Sequence, residues 1–227
     1  MVDKKKDPKI EELLQVGAHF GYASQRRHPS VAKYILGSKN KVEIFDLEKT
    51  VLELEEVKKV IAEAAEKKKR ILFASSKGEA REIIRKAAES IDMPYVAGRW
   101  IGGTITNFDQ IKKQVEKLVT LSEQKEKGEL GKYTKKERLM IDRDIERLQE
   151  MFSGIVGMNK TPDLLFVVDP KQEKTAVSEA VQKGIPVIAL SNSDCDISII
   201  DYPIPANDSA RASIEYILKD LVSAYKN

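Results

Sequence analysis

With 227 residues, 41% of them hydrophobic and 33% charged, the chain has the composition of a folded globular protein, which excludes disordered, collagen-like and disulfide-framed classes. Its 39 Lys and Arg against 36 Asp and Glu, a net charge of +3, are too nearly balanced for total charge alone to announce a nucleic-acid binder. One cysteine and two histidines leave no internal disulfide and few zinc ligands, and the longest apolar runs fall far short of the roughly 20 residues that cross a bilayer.

The opening MVDKKKDPKI has neither an apolar signal core nor the Arg-rich, acid-poor make-up of a transit peptide, so a cytoplasmic location is expected. Ile10 to Val16 reads as a short helix, and Gly17 and Gly21 then bend the chain. The next window, Tyr22 to Lys41, contains Arg26, Arg27, Lys33, Lys39 and Lys41 and no acidic residue. These five charges exceed the whole net charge, so everything outside the window is net negative by two. Such a segment is either an anion-facing patch or a solvated basic loop.

KYIL and VEIF flank the turn-like GSKNK and predict a hairpin beside the main sheet. Asp46 is placed to cap the following helix, in which Leu47, Val51, Leu54, Val57, Ile61 and Ala64 recur at helical spacing up to the basic run KKKR. ILFAS from Ile71, PYVA from Pro94, LLFVV from Leu164, PVIAL from Pro186 and YPI from Tyr202 are short apolar runs that alternate with helical patterns. That alternation predicts an α/β fold, a doubly wound five-stranded parallel sheet with helices on both faces.

About 65 residues separate the second of these strands from the third, where a simple crossover needs a dozen or more. Ile111, Val115, Leu118 and Leu121 line one helix and Ile141, Ile145, Leu148 and Phe152 another, with GELGKYT between them. The insertion is therefore expected to be an antiparallel helical hairpin, a coiled coil over residues 108–152, projecting from a sheet domain made of 1–107, with its basic N-terminal extension, and 153–227. Asn107 followed by Gln110 has the capping-box spacing and is expected to start the hairpin.

Just before the hairpin, RWIGGTITN from Arg99 to Asn107 holds the chain's single tryptophan. Arg99 offers a phosphate fork, Trp100 a flat stacking face, and the Gly102–Gly103 pair a close backbone approach, with Thr104 and Asn107 as polar neighbours. The alternative is a glycine turn with the tryptophan packed beneath the hairpin. The candidate RNA-binding residues are thus Arg26, Arg27, His28, Lys33, Lys39, Lys41, Arg99, Trp100, Thr104 and Asn107.

Taken in order, LLQVGAHFG, YILGSKNKVEIFDLEKT, PYVAGRWIGGTITNF, PDLLFVVDP, GIPVIALSNSDCD and DYPIPANDSARASI resemble ribosomal protein two of the bacterial small subunit. The resemblance spans nearly the whole chain and implies a flavodoxin-like sheet of order 2-1-3-4-5 with a protruding coiled coil. It implies no catalysis, no cofactor and no small-molecule substrate. The partners it implies are the small-subunit (16S) rRNA near the junction of head and body, other small-subunit ribosomal proteins and, in many bacteria, the large RNA-binding protein one. Tyr22 stands where that family commonly has a second histidine, which bears on any contact or metal bridge built on it. The chain also stops at Asn227 without the acidic tail of some relatives.

A flavodoxin-like small-molecule or phosphate-binding enzyme is the alternative, because doubly wound sheets bind ligands at the carboxyl ends of their strands. SSKG, Ser75 to Gly78, opens a helix there but lacks the GxGxxG and GxxxxGK[ST] spacings. Asp169 has the place of a phosphoacceptor, yet Ser75 and Ser76 stand where the partner carboxylates would be needed. Cys195 lies between Asp194 and Asp196, whose charges disfavour a thiolate. His19 and His28 have no paired-ligand spacing, so no metal is expected.

Overall fold

The computed structural model describes residues 8–226; the MVDKKKD segment, read above as carrying no leader, and Asn227 lie outside them. A short helix, α1 (Pro8–Gln15), leads into three strands, β1 (Phe20–Ala23), β2 (Ile35–Lys39) and β3 (Val42–Phe45). They form a small antiparallel sheet of order β1-β3-β2. The predicted hairpin is β2–β3, and its turn is tighter than GSKNK suggested. Asn40 and Lys41, at φ 53° and 65°, are the two left-handed residues between the paired Lys39 and Val42, as a type I′ turn requires. Sequence alone did not reveal that Phe20–Ala23 joins this sheet as a third strand.

The remainder is α2 (Leu47–Glu66), β4 (Ile71–Ser75), α3 (Gly78–Glu89), β5 (Tyr95–Ala97), α4 (Phe108–Glu126), α5 (Lys135–Phe152), β6 (Leu164–Val168), α6 (Lys174–Gln182), β7 (Val187–Ser191), β8 (Tyr202–Pro205) and α7 (Arg211–Lys226). β4 to β8 make a five-stranded sheet of order β5-β4-β6-β7-β8, parallel at every pairing. In strand sequence this is 2-1-3-4-5, so the predicted doubly wound α/β architecture holds, with its switch point between β4 and β6. No helix among the described residues is long and apolar enough to cross a membrane.

Alternation along each strand divides the core in two. Leu72, Ala74, Leu165, Val167, Val187 and Ala189 face one cluster with α6 and the bases of α4 and α5. Ile71, Phe73, Phe166, Val168, Ile188 and Leu190 face the other, with α2, α3 and α7. Phe73 and Phe166 meet there with ring centroids 5.3 Å apart, each burial stabilising the fold by about 1.5–3 kcal/mol relative to exposure.

α4 and α5 form the helical hairpin in place of a simple crossover. Ile111, Val115, Leu118, Ile145, Leu148 and Phe152 bury its base in the same cluster as the sheet; a Lys117–Asp144 ion pair joins the two helices at that level and Lys125–Asp142 joins them farther out. At 19 residues, α4 is about 28 Å long at 1.5 Å per residue. The expected Asn107–Gln110 capping box is not formed: Asn107 sits at φ −128°, ψ 47° and its side chain accepts no cap bond. The box occurs at the second helix instead, where Thr134 and Glu137 satisfy each other's backbone N–H groups. Asp46 does cap α2, accepting from the Glu48 N–H at 3.2 Å.

Where the hairpin returns to the sheet, the chain passes so close to β5 that a Cβ on Gly154 would lie 2.2 Å from the Tyr95 carbonyl oxygen. Backbone cannot yield as a flexible side chain does. Gly154→Ala should therefore destabilise the protein by about 1–3 kcal/mol through overpacking, whereas Gly157→Ala, with nothing within 4 Å, should be nearly neutral. Chemical denaturation of the two variants checks this; equal midpoints would contradict the contact.

Candidate nucleic-acid interface

In a parallel sheet all strands end on one edge, and here the carboxyl edge carries three things together: the basic window, the RWIGGTITN loop and a buried ion cluster. The cluster comes first because the others rest on it. Ser75 ends β4 and Lys77 follows, its Nζ 3.0 Å from Asp169 Oδ2 just after β6 and 2.9 Å from Asp208 Oδ1 after β8. Asn192, after β7, donates to the same Asp208 oxygen at 2.7 Å. Asp208 is fully buried. Asp169 sits at φ 65°, an uncommon backbone for a non-glycine residue; it is held by Lys77 and by the Gln172 N–H at 3.1 Å.

Burial alone would lower the Lys77 pKa, but Asp208 and Asp169 outweigh it and hold the pKa above the ordinary lysine value. Burial raises Asp208, with Asp169 adding to it and Lys77 opposing. The Cys195 thiol is raised by burial first and then by Asp169, Asp208 and Asp194, so the residue is a quiet side chain, as its acidic neighbours suggested. Asp169, Cys195 and Asp208 offer ligand atoms within 4.8 Å of one another, yet the Lys77 ammonium already supplies the positive charge between the carboxylates. The neighbouring backbone N–H of Ser76, which a phosphate would need, donates to the carboxylate of Glu173, whose side chain is buried. The crevice where this fold type takes ligands is filled by the chain's own ion pairs.

The basic window is pinned over this cluster. The Tyr22 N–H donates to Ser193 Oγ and the His28 N–H to the Ser193 carbonyl, each at 2.8 Å, while the Ile197 N–H reaches Ser30 Oγ at 3.1 Å. Tyr22 Oη lies 2.7 Å from Ser209 Oγ and 3.4 Å from Lys77 Nζ. Tyrosine thus ties the window to the ion cluster through its hydroxyl. His19, at the base of the window, lies tilted against Phe20 with ring centroids 4.0 Å apart, and burial lowers its pKa.

The candidate residues separate by environment. Arg26, Lys33, Lys39, Lys41 and Arg99 are exposed. Arg26 lies over the Tyr22 ring and Lys33 over the Tyr34 ring, 5.9 and 4.6 Å from the centroids. Arg27 is also exposed, but it pairs with the buried Glu43 at 3.5 Å, which neutralises part of its charge. His28 is half-buried, its Nδ1 2.8 Å from Ser30 Oγ and 3.8 Å from Asp196 Oδ1. Asn107 is exposed.

Trp100 and Thr104 are corrections. Trp100 is only 9% exposed and donates its Nε1–H to Glu179 at 3.1 Å, so its ring is packed beneath the hairpin and offers no stacking face. Thr104 is buried and donates to the Ile101 carbonyl at 2.6 Å. The loop's own N–H groups are likewise taken: Gly103 donates to Glu179 Oε1 at 2.8 Å, and Ile105 and Thr106 to Oε2 at 3.0 Å each. Gly103 adopts φ 92°, the conformation for which glycine is suited. Glu179 and Asp208 were not singled out from sequence, and Lys77 entered only as part of the SSKG turn. A glutamate on a helix and a lysine just before one look like solvated surface, and Asp208 was visible only within the string DYPIPANDSARASI.

The profile of the family described as Ribosomal protein S2 matches residues 13–227. This chain belongs to the ribosomal protein S2 family. Small ribosomal subunit protein uS2 of Wolinella succinogenes is 41% identical over 215 residues, covering 95% of this chain and 79% of the relative. The proteins of the same name from Sulfurimonas denitrificans and Roseiflexus castenholzii are each 42% identical, over 95% of this chain and 83% and 82% of their own lengths. Membership in the S2 family makes this a ribosomal protein whose role is structural and not catalytic, in keeping with a switch point closed by Lys77.

Lys77 has a measurable consequence. Removing one partner of a buried ion cluster typically costs 3–5 kcal/mol, because the charges left behind stay buried and unpaired. Lys77→Met should lose stability in that range, and the further change of Asp169→Asn in the same chain should recover part of it. Denaturant midpoints decide the matter; a loss below about 1 kcal/mol, the scale of an exposed pair, would contradict the cluster's role.

Proposed function

We propose that this chain is a structural constituent of the small ribosomal subunit, held in the cytoplasmic ribosome near the junction of head and body by phosphates of the 16S rRNA that dock on the carboxyl edge of its sheet. Neighbouring small-subunit proteins are its other partners. The observation that carries this reading is the segregation of charge: the window from Tyr22 to Lys41 has five basic residues and no acidic one, and Arg26, Lys33, Lys39 and Lys41 are all exposed. Arg99 stands exposed at the start of a loop on the same edge, and no ion pair within 4.0 Å engages it among the described residues. Phosphate contacts of this kind position a protein without reading sequence.

The turn adds to this. Lys41 holds a left-handed backbone, which costs a non-glycine residue stability and is found preferentially at functional sites. A lysine stands where the turn type favours glycine.

We also propose that the distal hairpin is separable from the sheet. Its outer turns are joined by the exposed Lys125–Asp142 ion pair, whereas its base is buried with the sheet. Replacing residues 119–144 by a short Gly/Ser linker, with Leu118 and Ile145 kept, should leave one cooperative thermal transition, since the sheet retains both layers of its core. Loss of cooperative unfolding would contradict it.

The binding experiment uses small-subunit particles lacking this protein, at several salt concentrations. Each neutralised phosphate contributes about 0.9 to the log–log salt slope on duplex and about 0.7 on single strands. Arg26→Ala, Lys39→Ala and Arg99→Ala should each flatten the slope by about that amount, while Arg27→Ala, already paired with Glu43, should flatten it by less. Circular dichroism confirms that the variants are folded. Slopes unchanged by all four substitutions would place the RNA contact elsewhere.

A further inference from the structure

Asn107 leaves the start of α4 without a side-chain cap, so although the base of the projection packs on the sheet, the path of the chain into this helix has to be held by another group. The structure supplies a carboxylate from another element. Glu179, on α6 and 7% exposed, accepts five hydrogen bonds from one stretch of seven residues: Trp100 Nε1–H at 3.1 Å and the Gly103 N–H at 2.8 Å on Oε1, and the N–H groups of Ile105 and Thr106 with the Thr106 hydroxyl, each at 3.0 Å, on Oε2. These bonds fall on both sides of the left-handed Gly103 and run to within two residues of Phe108, where α4 begins. Convergent backbone N–H groups of this kind form an anion cradle; here an internal carboxylate fills it.

Hydrogen bonds to a charged acceptor are roughly twice as strong as neutral ones, and a buried carboxylate short of donors is costly. The loop and the glutamate therefore require each other. Burial would raise the Glu179 pKa, but the donors from Thr106, Trp100, Gly103 and Ile105 outweigh it and lower it, so the group stays ionised and the cradle stays closed at neutral pH.

We propose that Glu179 is a positioning residue for RNA binding, a single buried carboxylate that fixes the path of residues 100–106 and thereby both the direction of the α4–α5 projection and the place of Arg99. This rests on the RNA-facing reading above for its consequence, though not for its geometry. Glu179 itself touches no RNA in this scheme; it acts through the loop.

The test measures geometry and binding separately, in the full chain. Spin labels at Glu66→Cys on α2 and Glu126→Cys at the far end of α4, with Cys195 buried and left in place, report the direction of the projection by pulsed electron resonance. The unsubstituted background should give one narrow distance distribution. Glu179→Ala should broaden it, and Glu179→Gln should fall between, because the amide keeps one acceptor oxygen but presents a donor to N–H groups. Ile214→Val, which loosens the opposite core layer without touching the loop, lowers stability and should leave the distribution narrow.

In the binding arm, Glu179→Ala should weaken association with particles lacking the protein, and Glu179→Ala combined with Arg99→Ala should lose less than the product of the two single losses, as coupled residues do. An unchanged distance distribution in a cooperatively folded Glu179→Ala protein overturns the positioning role whatever the affinity; if that variant does not fold, an unchanged distribution in Glu179→Gln does the same. A broadened distribution with unchanged affinity leaves the positioning of the hairpin standing and overturns its connection to RNA.

Discussion

Two buried carboxylates, Asp169 and Asp208, come together on the carboxyl edge of the sheet because β6 and β8 are parallel and each ends just before one of them. Such a pair can stay ionised together only if a cation is delivered between them, and Lys77, carried there by the end of β4, is that cation. The consequences reach outward. The ammonium fills the switch-point crevice that a doubly wound sheet would otherwise offer to a ligand. Through Tyr22 Oη, 3.4 Å from Lys77 Nζ, it also lies beneath the N-terminal strand that presents the basic window. A part of the fold that serves chemistry in many α/β enzymes has become a foundation for a surface.

Charge is then sorted by edge. The carboxyl edge carries Arg26, Lys33, Lys39, Lys41 and Arg99 toward solvent. The other basic run, Lys67 to Arg70, precedes β4 and so lies at the amino edge. There Arg70 is occupied with the Asp92 and Gly157 carbonyl oxygens at 2.9 and 3.5 Å, and Lys67 pairs with Glu63 at 3.0 Å. Similar lysine and arginine content thus does different work on the two edges: one set is free to meet phosphate, while members of the other are tied into local structure.

The sheet was legible because its strands are short continuous apolar runs, the pattern of strands buried on both faces. The hairpin was legible from its length and its two apolar seams. Pattern failed where a residue's partner lies far away in sequence. Trp100 beside Arg99 has the look of a stacking platform, and only the position of Glu179, seventy-nine residues on, turns it inward. Asn107 and Gln110 have the spacing of a cap, but the backbone at Asn107 is not in the conformation that would let its side chain reach. Phe20 to Ala23 is too short and too rich in small residues to announce a strand, and it becomes one only because β3 offers an edge. Tertiary context decided each of these.

The central claim is that the carboxyl edge is the RNA-facing side and the amino edge is not. Ultraviolet crosslinking of assembled small subunits, followed by mass spectrometry of RNA-modified peptides, tests it most directly because it needs no substitution. RNA adducts should map to the peptides spanning residues 22–41 and 98–107, at the window and the glycine loop. Adducts confined to Lys67–Arg70 and the outer surfaces of α2 and α7 would contradict the account.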